Sequence, residues 1–150
     1  MNVEEQRTLA AELFNATWRL LEKPDRTPDE DDEMLHAAHA SRYHWIRAGT
    51  RVNGARGEWQ CARVYAVLGR PEPALHHARR CLELCESAPD DLDEFDLPFA
   101  YEALARAHAV AGDEEQARHW LARARDAGEA ISDEDDRALL EADLETIGGT

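Results

Sequence analysis

Three features of the 150-residue chain predict an all-α fold, a stack of antiparallel helix hairpins with about seven helices. The first is composition. Ala, Leu, Glu and Arg abound, aromatic residues make up 7%, and no alternating Val/Ile/Thr-rich run occurs, which favours helix over sheet. The second is an internal echo. Residues 61–81 and 104–124, laid over each other without a gap at an offset of 43, share nine of 21 residues, among them Ala62/Ala105, Arg63/Arg106, Gly69/Gly112, Ala74/Ala117 and Arg80/Arg123. Self-similarity at such a period marks a stacked repeat, because one unit cannot bury its apolar face alone. The third is a regular succession of helix start and stop signals.

The first helix is predicted from about Asn2, a capping residue with Glu5 three positions on, to Glu22, with Pro24 ending it. Leu9, Leu13, Thr17 and Leu20 form its stripe, flanked by Phe14, Trp18 and Leu21, wide enough to meet more than one neighbour. Thr27-Pro28-Asp29-Glu30 is a strong start for the second helix, which runs to about Ala48 with Met34, Ala38, Ser41 and Trp45 on one face. Asn53-Gly54 reads as the turn into a third helix from about Ala55 to Leu68, closed by Gly69 in the left-handed position.

Pro71 and Pro73 fit the first turn of the fourth helix, which carries Ala74, Ala78, Cys81, Leu82 and Cys85 inward and ends near Ala88-Pro89. After an acidic connection at residues 90–96, Asp96 is expected to cap the fifth helix, running to Ala111, with Gly112 closing it. Asp113 caps the sixth, with Ala117, Trp120, Leu121 and Ala124 inward. Ser132 is expected to cap the seventh, whose narrow stripe of Leu140, Leu144 and Ile147 suits the end of a stack. The domain expectation is one unit over residues 1–150, with the clearest repeats at 55–88 and 97–130 and a capping helix at 133–147.

The formal net charge of −15 argues against nucleic acid and against an acidic membrane surface, both of which call for a basic face. No apolar run is long enough for a membrane span, and the acidic start lacks the order of a signal peptide. Three cysteines without a framework pattern lead to the expectation of a cytoplasmic protein with reduced thiols. The acidic runs at 29–33, 113–115 and 133–136 fall at expected helix N-termini, where each carboxylate contributes roughly 0.3–1 kcal/mol against the helix dipole.

The pattern Ala62, Tyr65, Leu68-Gly69, Ala74, Ala78, Cys81, repeated as Ala105, His108, Ala111-Gly112, Ala117, Leu121, Ala124, resembles the tetratricopeptide repeat family over residues 55–130. His108 departs from the usual aromatic, the loop after Ala88 is longer than in the commonest members, and the first two helices do not echo the motif at the same offset. The resemblance implies a right-handed stack of three helical hairpins plus a capping helix. It further implies a binding scaffold whose alternate helices line a concave groove for a peptide or a protein.

Arg63 and Arg106 stand at the same repeat position, each on a nearly apolar helix, and a buried guanidinium needs a partner or a groove. The resemblance places both on the concave face, roughly 8–10 Å apart, where they would suit the carboxylates of an acidic peptide or a C-terminus. An internal partner is equally in view, because Glu102 precedes Arg106 by four positions and Trp59 precedes Arg63 by four. The expected groove residues are Arg56, Trp59, Arg63, Phe99 and Arg106, in a non-enzymatic protein- or peptide-binding scaffold.

Two other classes compete. His36 and His39, one turn apart with Asp32 on the same stripe, give a metal-site alternative, although His-Glu-x-x-His is absent and surface histidines beside an acidic cap are the commoner reading. A self-associating subunit, using the apolar helices to stack end to end, is the other. His77, Cys81 and Cys85 fall at i, i+4 and i+8, and Cys61 is placed to approach Cys81 across the hairpin, but small core thiols are the better reading. No Ser/His/Asp order, glycine-rich phosphate loop or nucleotide fingerprint is present, so no cofactor is expected.

Overall fold

In the computed structural model, which describes residues 1–147, the chain forms seven α-helices and, among the described residues, no strand. They are α1 (Val3–Glu22), α2 (Pro28–Ala48), α3 (Arg51–Val67), α4 (Pro71–Ser87), α5 (Asp96–Val110), α6 (Glu114–Gly128) and α7 (Glu134–Glu145), with a single 3-10 turn at Pro89–Asp91 between α4 and α5. Consecutive helices pair as α1·α2, α3·α4 and α5·α6, the pairs stack through α2·α3 and α4·α5, and α7 closes onto α5 and α6. No described helix is long and apolar enough to cross a membrane. The last three residues of the expected domain lie outside the described residues.

Local chemistry sets the boundaries. Asn2 accepts from the Glu5 N–H (2.8 Å), and Thr27 and Glu30 satisfy each other's backbone donors in a capping box. Asp113 caps α6 by accepting from the Gln116 N–H. The ends of α3 and α5 repeat each other bond for bond. The N–H of Gly69 reaches the Ala66 carbonyl and that of Arg70 the Tyr65 carbonyl, while Gly112 and Asp113 do the same to Ala109 and His108. Both glycines have a left-handed backbone (φ 73° and 79°), the geometry that satisfies orphan carbonyls at a helix end.

Three expected boundaries are corrected. Asn53-Gly54 is not a turn. Thr50 caps α3 in a box with Asn53, so both residues lie in the first turn of the helix. Gly54 and the neighbouring Gly57 serve approach instead. A Cβ at 57 would stand 3.1 Å from the Arg42 Cα, so α2 and α3 meet almost backbone to backbone. Asp96 does not cap α5. It is the first helical residue, and its carboxylate accepts from the Asp93 N–H and from Arg56. Ser132 does not cap α7 either. Asp133 does, while Ser132 bonds Glu94 through both its N–H and its hydroxyl.

Packing follows the expected stripes. Met34, Ala38 and Ser41 of α2 are buried, as are Ala74, Ala78, Cys81 and Cys85 of α4 and Leu140, Leu144 and Ile147 at the C-terminal end. Ala62, Ala66, Ala74, Ala78, Ala103 and Ala107 form a seam of small residues where α3, α4 and α5 meet, which lets these helices approach closely. Ala62, Ala66, Ala103 and Ala107 of α3 and α5 pack against these neighbours, whereas Val67 of α3 is exposed. Cys61 and Cys81 do not approach each other. Cys61 packs with Met34, Ala38 and Val64, and Cys81 packs with Ala55, Leu84, Cys85 and Ala100 in another cluster.

Candidate binding cleft

Helices α1, α3, α5 and α7 border a cleft of about 320 Å³, floored by α4. Its walls are aromatic for a geometric reason. Trp18 of α1, Trp59 of α3 and Phe99 of α5 occupy facing positions and meet edge to face, at 5.6 Å between Trp18 and Trp59 and 5.9 Å between Trp59 and Phe99. Phe95, before α5, continues the row against Phe99 at 6.5 Å. Such perpendicular contacts are favourable beyond their buried area and hold the rings in one arrangement. Leu139 of α7 stands at the mouth, 52% exposed.

The expected residues converge here, but the arginines are engaged from within. Arg56 makes a two-pronged pair with Asp96 (2.9 Å at each prong) and a further bond to Asp93, with its guanidinium 5.0 Å above Phe95. Hydrogen bonds to these carboxylates raise the Arg56 pKa further. Arg63 donates to Glu102 (3.2 Å) and Asp143 (3.0 Å), and lies over the rings of Trp59 and Trp18. Arg106 donates to the same Glu102 (2.8 Å), to the Asp143 carbonyl and to the Thr146 hydroxyl, so it also holds the C-terminal end of α7. Glu102 is fully buried and receives the Trp59 indole N–H as well. The space among Trp59, Arg63, Glu102 and Arg106 has no room even for a water molecule.

The internal partners weighed for Arg63 and Arg106 are therefore present. Glu102, which serves both arginines, was legible for Arg106 from its i, i+4 spacing. Its reach to Arg63, and that of Asp143, has no local signal. On the floor, the neighbouring Cys85 thiol and burial push Cys81 well up, while Cys81 brings Cys85 down against the opposing effect of burial. Both cysteines, like Cys61, are free thiols.

A second polar cluster lies between α2, α3 and α4. Glu58, nearly buried, accepts from Arg42 (2.7 Å) and bonds His77 (2.5 Å). Tyr65 stacks on His77, nearly parallel at 5.5 Å, and hydrogen-bonds His39 (2.8 Å). Burial and the neighbouring His77 push His39 below its ordinary value. Burial pushes Glu58 up, but His77 and Arg42 outweigh it and hold the carboxyl low. The Cys61 thiol, 3.9 Å from His39, is pushed up to about 12 by burial, which makes it a poor nucleophile. The proposed metal set is not assembled: His39 turns to Tyr65 while Asp32 and His36 are exposed, and no group of three or more metal-ligating side chains occurs among the described residues.

In comparisons with known proteins, no family model matches this chain, and neither a curated protein nor a solved structure matches it.

Proposed function

We propose that the protein is a non-enzymatic interaction module whose cleft receives an apolar segment of a partner protein or peptide. The observation that carries this is the cleft itself. A row of four aromatic rings, three of them on helices joined by ion pairs, leaves about 320 Å³ unfilled and opens at an exposed leucine. Rigid aromatic anchors around an apolar hollow are the usual core of a recognition site. Trp59 and Phe99 supply contact surface, as the sequence predicts. Arg56, Arg63 and Arg106 act chiefly as the frame that fixes those rings. The matching helix ends at Gly69 and Gly112, and the alanine seam between the hairpins, support a tetratricopeptide-like stack as the architecture behind the cleft. The free thiols are compatible with residence in a reducing compartment such as the cytoplasm.

The test is photo-crosslinking from inside cells, with a photoreactive residue in place of Leu139 and, as a control on the far end of α4, in place of Glu72. A segment captured only from position 139, whose synthetic peptide binds the purified protein and is lost with Leu139→Arg, supports the reading. Identical captures from both positions would overturn it.

A further inference from the structure

We propose that the segment received by the cleft is basic as well as apolar: one or two large hydrophobic side chains flanked by lysine or arginine. This rests on the binding reading above and names the class of partner. Complementarity of charge carries it. Each arginine at the cleft is already committed to a carboxylate of this chain: Arg56 to Asp93 and Asp96, and Arg63 and Arg106 to Glu102. Their charge is therefore answered largely within the chain. The carboxylates outnumber them, since Asp136 in the cleft wall has no cationic partner among the described residues.

Asp136 also stands in a crowd. Burial first, then the charges of Asp133, Asp135, Asp93 and Glu94, push its carboxyl above the ordinary value, and an incoming cation would offset that repulsion. The rings beside it already accept cations on their faces, as Arg56 over Phe95 and Arg63 over Trp59 show. The volume is at the small end for ligand sites, enough for about one or two large side chains. The net charge of −15 adds long-range attraction for a basic partner.

The experiment selects a displayed library of random short peptides on the wild-type protein, with counter-selection on Leu139→Arg. The expected winners carry Trp, Phe or Leu beside Lys or Arg. Their affinity falls about threefold with Asp136→Asn and stays unchanged with Glu72→Gln, which removes the same charge away from the cleft. Added salt weakens them, as it does any partly exposed charge pair. Winners that are neutral or acidic overturn this inference and leave the cleft reading intact. Basic winners weakened alike by Asp136→Asn and Glu72→Gln report only general attraction to an acidic protein, and overturn it too. If no peptide prefers wild type over Leu139→Arg, the cleft reading falls and this inference falls with it.

Discussion

Two of the buried carboxylates, Glu102 and Glu58, lie on opposite sides of α3 and are answered differently. Glu102, at the cleft, sits between Arg63 and Arg106, guanidinium groups that stay charged at any pH a protein meets. Glu58, toward α2 and α4, sits between Arg42 and His77, with His39 and Tyr65 behind. The first arrangement frames an open hollow with permanent charge. The second is tied to histidine side chains. A buried carboxylate is costly wherever it stands, so what differs is the condition under which its compensation fails. The cleft carboxylate is answered by permanent cations, and the one at the α2·α3·α4 contact in part by histidine.

The largest effect that tests this contrast is Glu102→Gln. It leaves two nearly buried guanidinium groups without their shared carboxylate, and a loss of about 3–5 kcal/mol in chemical denaturation is expected. Glu58→Gln is expected to lose less, about 1–3 kcal/mol, because Arg42 is partly exposed and water takes over part of the solvation. Equal losses would break the distinction between a doubly charged frame and a mixed one.

Acidification sharpens it further. The folded-state pKa of His39 lies below its ordinary 6.5 and that of Glu58 below its ordinary 4.5. In both cases the stabilising contribution is complete above the unfolded value and is lost as pH falls through the lower, folded one. Stability should therefore decline from about pH 6.5 downward, first through His39 and then through Glu58. His39→Gln should flatten the upper part of that decline, whereas Glu102→Gln should lower the whole curve. A slope unchanged by His39→Gln would remove the histidine from the account. The smallest effect belongs to Leu139→Ala. At an exposed site it should change stability by no more than about 0.5 kcal/mol, while weakening an apolar probe followed by Trp18 and Trp59 fluorescence. A large stability loss would mean that Leu139 is part of the core and the cleft is not a free surface.

Much of the fold was legible because its signals are local. Thr27-Pro28-Asp29-Glu30 acts as a capping box, and Gly69 and Gly112 turn left-handed where the echo places them. The misread start of α3 shows the limit of such signals. Asn-Gly is a favourable turn pair, but Thr50 offers a better cap three residues before Asn53, and Gly54 is wanted by Ile46, whose Cδ1 would lie 2.5 Å from a Cβ there. Trp59, Phe99 and the arginines could be singled out as isolated features on apolar helices. Their partners could not, apart from Glu102 for Arg106 and Trp59 for Arg63, because Arg63 meets Asp143 across 80 residues and Arg56 meets Asp96 across 40.

Sequence alone determined that this chain is helical, where most helices begin and end, and which faces are buried, since caps, turn glycines and the 3.6-residue period act within a few residues. Tertiary structure alone decided how the charges are matched. Whether an arginine reads a ligand or holds its own frame depends on which distant carboxylate the packing delivers within about 3 Å, and no spacing along the chain encodes that distance.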